Sequence, residues 1–537
     1  MGQPGVVIDV DSDGLARSVT PSLPRRFLQN AASTYGALVV LGLQVVVVTP
    51  LLVHGLGPEL YGVWAVVASL GLMISLLDLG LGSATVRYVA HYEGLKDRAN
   101  VVRTVAVSFW ILAVLSLIAL LLAVPLAPVF AKYFSAPGHR TDTAVLVILT
   151  AASVALTFMA GAFGGCFAGL QYHSVNNAFN AGIAIAETAG FALVLGLGGG
   201  LIPLGVVLLV VSSAGLMTSY LVLRRFLPEL RVSWRSLDRA WAKRVLGMTT
   251  WVSSIQLATI IRYRIDTIVV GAVAGIRAAG VYSVGQLVFV AVNRFIQPAV
   301  TGFFPFAAEL AGRRDSDGLR RSVVVGTRLA LAVAGALSLP VLVFAAPLIS
   351  AWVGPGFHDA RLVVIFLVSS LLLGALTRAG FAMLDGSGQY RVKAYILGAE
   401  AIVNVTLSVV LGVVVGPYGV ALATLIATAA LSTAVGLPYI CRTYHLNIGR
   451  FLVGIGRAYL PAFGIAFSVA WLVYPHGHVN LFSLFLRCCS VALSYLATLL
   501  VTGLDSYERA ALRRLVRPGS ARLLRLTRVA ARRVSGD

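Results

Sequence analysis

A charged side chain at the centre of a membrane-crossing helix costs roughly 2.5–3.5 kcal/mol to insert, so charges in long apolar runs are where chemistry is to be sought. The run 245–274 carries Arg262, Arg264 and Asp266 near its middle. At about 100° per residue, Ser253, Gln256, Thr259, Arg262, Tyr263 and Asp266 share one face. That polar stripe suits a water-filled cavity better than lipid, and Arg264 points roughly 200° from Arg262. The next run, 280–305, puts Arg294 beside Asn293 at a similar depth. Guanidinium groups bind phosphate bidentately, so Arg262 and Arg294 form a candidate anion site, with Tyr263, Asp266, Gln256 and Asn293 around it. The alternative is structural: Asp266, four residues on, neutralises Arg262, and Arg294 has an acid elsewhere. Glu187 and Glu400 are the other deep acids. Either can carry a coupling proton or partner Arg294 or Arg378. Asp78 and Arg87 form a candidate gate or a plain interfacial pair. Arg328, Arg378, Arg457 and Arg487 lie nearer helix ends, where snorkelling is cheap, and receive no role.

Other chemistries lack their residues. The chain contains no Gly-Lys pair and hence no phosphate-binding loop for ATP. The longest outside loop, about 132–143, is too short for a catalytic domain, so no enzyme is expected. His476 and His478 flank Gly477 in a turn without a third ligand nearby; no metal and no cofactor are expected. Cys166, Cys441, Cys488 and Cys489 fall in or beside apolar runs, as small apolar residues do. Energy must come from an ion gradient, the membrane potential or the substrate gradient.

The elements that hold these groups are membrane helices. The 537 residues are 58% hydrophobic and 12% charged, with a mean hydropathy of +0.89. An integral membrane protein follows. Fourteen segments reach the ~20 residues a hydrocarbon core requires, grouped as six, six and two. Only four of the 42 basic residues fall on outside loops if both termini are cytoplasmic, which sets the orientation. The net charge of +21 is then an inner-leaflet feature rather than a nucleic-acid surface. Nine arginines from Arg509 to Arg533 alternate with leucines in a basic amphipathic tail suited to anionic headgroups. The expected organisation is a disordered tail (1–24), a first lobe (25–223), a basic linker (224–244), a second lobe (245–441), two further helices (452–503) and the basic tail (504–537). A monomer is expected.

The two lobes are copies. At a spacing of 218 residues, Arg26 matches Arg244, Gly57 matches Gly275, Gly62-Val63 matches Gly280-Val281, and Pro137-Gly138 matches Pro355-Gly356. A second register, at 214, aligns Phe167-Ala168 with Phe381-Ala382 and Gly205-Val206 with Gly419-Val420. Duplicated helical units are the mark of a transporter with its site between the repeats. The mid-membrane arginines are not duplicated: Leu76 stands where Arg294 does, and Gln44 where Arg262 does.

The stretch Gly55-Leu56-Gly57-Pro58-Glu59-Leu60-Tyr61-Gly62-Val63-Trp64, with Leu77-Asp78-Leu79-Gly80-Leu81-Gly82 and Arg87-Tyr88-Val89-Ala90, resembles the opening of polysaccharide-repeat exporters, the O-antigen-type flippases. These belong with multidrug extruders and lipid II flippases in one superfamily, and the resemblance spans roughly residues 25–500. It implies two six-helix bundles that alternate access for a polyprenyl-(pyro)phosphate-linked oligosaccharide. It further implies a phosphate-binding role for Arg262 and Arg294, and a groove for the lipid tail at the two C-terminal helices. This sequence departs from a symmetric cationic cavity, because helices one and two carry no deep arginine. A multidrug or small-solute antiporter of the same fold is the alternative, and a membrane-embedded glycosyltransferase or polymerase is a third reading.

Overall fold

The computed structural model describes residues 22–74, 81–230, 232, 265–301, 303–313, 315–475, 477 and 479–502. All regular structure among them is helical. The chain is an all-α, multi-pass membrane protein, because twelve helices among the described residues are long and apolar enough to cross a bilayer. The run Gly36–Met73 spans two helices, broken at Gly57, and Ile265–Ala274 is a shorter apolar helix within the expected run 245–274, whose remainder lies outside the described residues.

In the first half, α1 (Ser22–Ile74), α2 (Leu81–Gly94), α3 (Arg98–Phe134), α4 (Arg140–Gly169), α5 (His173–Gly196) and α6 (Leu201–Phe226) pack on one another, α3 and α6 against α4 and α5 against α1. The second half holds α7 (Ile265–Ala274), α8 (Ile276–Ile296), α9 (Pro298–Thr301), α10 (Phe303–Gly312), α11 (Ser316–Val343), α12 (Ala345–Val353), α13 (Ala360–Gly386), α14 (Tyr390–Val415) and α15 (Pro417–Ala427). A π-helical stretch, Thr428–Gly436, joins α15 to α16 (Leu437–Thr443). Side-chain caps start three helices at connections the charge pattern assigns to the inside. Asp97 accepts from the Asn100 N–H (3.1 Å), Asp315 from that of Gly318 (2.8 Å) and Asn447 from that of Arg450 (3.0 Å), satisfying helix-end donors.

The duplication is visible in the backbone. Gly57 and Gly275 adopt the same left-handed turn, φ/ψ of 76°/169° and 89°/168°, which a residue with a Cβ rarely enters. The register at 214 does not carry over to helix ends. Gly198 and Gly416, the left-handed glycines after α5 and α14, are 218 apart.

The halves meet at the ends assigned to the outside, where α1 packs on α8 and α12. Val48, Leu52, Val53, Leu56 and Val63 interlock with Val281, Val284, Ile349, Trp352 and Val353. Trp352 Nε1 donates to the Val46 carbonyl (2.8 Å), the Ser283 hydroxyl donates to that of Tyr61 (3.2 Å), and Tyr61 meets Phe357 edge to face. Lipid tails are as apolar as these side chains, so close packing, not hydrophobicity, holds such a seam. Farther along α1 the seam ends, and Val39 and Leu43 are 53% and 57% exposed.

The last two helices, α17 (Ile448–Leu472) and α18 (Leu481–Thr502), form a hairpin on α11. The Tyr459 and Tyr495 hydroxyls donate to the Arg328 and Leu331 carbonyls at 2.5 and 3.1 Å. Tyr495 fits because α11 has Gly335 there: a Cβ would stand 2.2 Å from its hydroxyl oxygen.

Candidate functional site

Arg294 and Asn293 lie half-buried on α8, eighteen and seventeen residues from its start at Ile276. The helix breaks just beyond. Gln297 keeps helical dihedrals and donates to the Asn293 carbonyl at 3.1 Å, but Pro298 follows, and proline has no N–H to offer the Arg294 carbonyl four residues back. Broken helices mark the sites of many transporters. The Asn293 amide oxygen accepts from Arg378 Nη2 on α13 at 2.7 Å. Arg378 also lies eighteen residues from the start of its helix, Ala360. Arg294 is thus about 27 Å down α8, but the two starts are not level: a Cβ on Gly285 of α8 would stand 3.3 Å from the Ala360 carbonyl oxygen, so Arg378 lies deeper and its side chain reaches back to Asn293. Sequence position alone placed Arg378 near a helix end. It lies eight residues from the end of α13 at Gly386; what sequence position did not show is its hydrogen bond to Asn293 on α8.

Arg262, Tyr263 and Gln256 lie outside the described residues, as does Asp78 of the candidate gate. Arg87, its expected partner, is exposed on α2.

Asp266 departs from the expected open stripe. It is 1% exposed, enclosed within the second half. The Tyr282 and Thr424 hydroxyls donate to its Oδ2 (2.9 and 3.1 Å), and that of Ser408 to Oδ1 (3.3 Å). Burying a carboxylate demands such donors, and α8, α14 and α15 each supply one. The Asn404 amide donates to Thr424 Oγ1 at 2.8 Å, while its own buried Oδ1 accepts no hydrogen bond among the described residues. A buried carboxylate beside an amide oxygen and hydroxyls has the chemistry to hold a proton or a hard monovalent cation.

The two deep glutamates are held differently. Glu400 is 0% exposed on α14, and the Ser432 hydroxyl of the π-helical stretch donates to its Oε2 at 2.5 Å. π-Helical turns occur mostly at functional sites. Glu187 is half-buried on α5 and accepts from Gln44 Nε2 of α1 at 3.0 Å, beside a cavity of about 300 Å³.

The family model described as "polysaccharide biosynthesis protein" matches residues 27–311. Among curated proteins, the chain is 23% identical over 421 residues to the uncharacterized membrane protein EpsK of Bacillus subtilis (strain 168), covering 76% of this chain and 81% of that one. It is 28% identical over 228 residues to a probable multidrug resistance protein NorM of Rhizobium meliloti (strain 1021), covering 39% and 46%. Two solved structures share its fold. An inward-facing MATE-family multidrug transporter matches with a TM-score of 0.67 at 15% identity, over 75% of this chain and 94% of its own. The lipid II flippase MurJ, in an inward closed conformation, matches with 0.64 at 14% identity, over 88% and 98%. With more than half of its length matched by one family model, this chain belongs to the polysaccharide biosynthesis protein family of membrane proteins.

Proposed function

We propose that this protein is an alternating-access flippase that carries a polyprenyl-(pyro)phosphate-linked oligosaccharide from the cytoplasmic to the outer leaflet for cell-surface polysaccharide synthesis. The observation that carries the reading is the hydrogen bond from Arg378 to Asn293, which brings a second guanidinium to the stretch of α8 that holds Arg294, just before Pro298. A lipid-linked phosphate suits two guanidiniums and can meet them without leaving the bilayer. Arg262 belongs to this site in the same reading.

In the orientation indicated by the basic residues, the closed seam faces outside, so the cleft opens to the cytoplasm, as loading requires. The phosphate docks on the arginines, and the oligosaccharide enters the cleft while the lipid chain stays in the membrane. Rocking of the halves then opens the seam and exposes the sugars outside. The hairpin α17–α18 is placed beside the second half, where it can guide the chain. Coupling falls to the enclosed carboxylates Asp266 and Glu400, whose proton or cation occupancy changes the packing of α14 and α15, and Glu187 offers a third such group. The basic tail contacts anionic headgroups.

Substitution of Arg294 by alanine tests the reading. Transport of lipid-linked oligosaccharide into the outer leaflet of proteoliposomes is expected to fall at least tenfold with folding intact; undiminished transport contradicts it. A second reading, a multidrug or small-solute antiporter, is favoured by the carboxylate-bearing cavity at Glu187. It predicts binding of organic cations, which Arg294 and Arg378 oppose.

A further inference from the structure

The cavity beside Glu187 has a lining unlike that of the arginine site. Its wall comes from α1, α4, α5 and α6, all in the first half, and its polar groups are Gln44, Thr157, Asn180, Glu187 and Ser212. None is cationic. Gln44 donates to Glu187 Oε2 at 3.0 Å and leaves its own amide oxygen for another partner. Ser212 is already engaged behind the wall with Ser153, at 2.7 Å. Asn180 and Thr157 are exposed to the open space in front. Two amides, a carboxylate and a hydroxyl converging without a positive charge would repel phosphate. They match a neutral, hydroxyl-rich ligand, because a carboxylate accepts from neighbouring hydroxyls and an amide both donates and accepts.

Position points the same way. Gln44 lies two residues along α1 from Val46, whose carbonyl takes the Trp352 indole at the closed seam. Glu187 is nine residues from the end of α5 at Gly196, about 13 Å down its helix, against about 27 Å for Arg294 on α8. Glu187 therefore lies nearer the closed end than Arg294 by roughly a dozen ångströms, while Asn180, sixteen residues from that end of α5, lies about 24 Å down. A lipid whose phosphate rests on the arginines has its headgroup leading toward that end. At about 300 Å³ the cavity reaches the lower limit of small-ligand pockets.

We propose that this first-lobe cavity is a glycan subsite, in which Glu187, Gln44 and Asn180 bind hydroxyl groups of the sugars nearest the phosphate. The inference rests on the flippase reading above. It divides recognition between the halves, with phosphate held by the second and sugar by the first. The division gives the loss of symmetry at Gln44, the counterpart of Arg262, a purpose.

Equilibrium binding to the purified full-length protein tests it with three probes: polyprenol, polyprenyl diphosphate, and polyprenyl diphosphate bearing its oligosaccharide, isolated from producing cells. Wild type is expected to bind the glycosylated lipid roughly tenfold more tightly than the bare diphosphate, the worth of one charged hydrogen bond. Glu187→Gln combined with Asn180→Ala is expected to bring that ratio close to one, leaving bare diphosphate binding unchanged. Glu187→Gln alone, nearly isosteric, is expected to give an intermediate ratio. A ratio of one in wild type overturns the proposal, and so does a ratio unaltered in the double variant. A carboxylate that served only in coupling would give the latter result. The preference for diphosphate over polyprenol reads the arginine site separately, and its absence from wild type would count against the flippase reading and not against sugar binding.

Discussion

Gly62 and Gly280, equivalent residues of the two repeats, pack directly on each other: a Cβ on Gly280 would stand 3.3 Å from the Gly62 Cα. The pair lies where α1 crosses α8 at the closed seam. A Cβ on Gly62 would stand 2.1 Å from the Ile276 carbonyl oxygen, with backbone on both sides of the clash. Small residues here let backbones approach closely, and in the proposed transport cycle this contact parts when the halves rock.

The two glycines therefore predict unequal effects. Gly62→Ala is expected to prevent the seam from closing and to reduce transport by at least tenfold. Gly280→Ala requires a shift of only a few tenths of an ångström and is expected to retain most of the activity. Labelling of a cysteine at Ser283 by an impermeant reagent from outside checks the cause, with faster labelling in Gly62→Ala than in wild type.

Asp266 is expected to act in coupling. Asp266→Asn keeps the shape of the group but removes its charge, while three hydroxyls still point at it. Transport is expected to lose its dependence on an imposed proton or sodium gradient, measured in proteoliposomes with each gradient applied singly. Asp266→Ala adds the loss of hydrogen-bond partners, about 1–3 kcal/mol, and is expected to lower thermal stability as well.

Arg378 is expected to behave as part of the anion site. Arg378→Gln should weaken binding of polyprenyl diphosphate by roughly 10- to 100-fold, the worth of a hydrogen bond to a charged group. Arg378→Lys retains charge without the planar fork and should fall between. Asn293→Ala frees the guanidinium to move and should reproduce part of the loss without changing net charge.

The hairpin α17–α18 is expected to depend on Gly335. Gly335→Val places side-chain atoms on the Tyr495 hydroxyl and should lower the melting temperature in detergent. The double variant Tyr459→Phe/Tyr495→Phe loses two hydrogen bonds, about 1 kcal/mol each, and should lower it less.

Much of the frame was legible in the sequence, because apolar run length and the placement of Arg and Lys are direct consequences of bilayer thickness and translocation. Gly57 and Gly275 announced the repeat through a backbone conformation only glycine adopts readily. The site was harder to read. Helical periodicity put Asp266 on a polar stripe but could not show that Tyr282, Ser408 and Thr424, up to 158 residues away, would enclose it. Arg378 was passed over because its hydrogen bond to Asn293, 85 residues away on another helix, has no spacing of its own. The polar lining around Glu187 comes from four helices and has no spacing of its own.

The most direct measurement is the binding of polyprenyl diphosphate and uncharged polyprenol to the wild type and to an Arg294→Ala/Arg378→Ala variant of intact fold. The account predicts a strong preference for the diphosphate in wild type that disappears in the variant. Equal binding of the two lipids by wild type, or a preference that survives removal of both arginines, would contradict it.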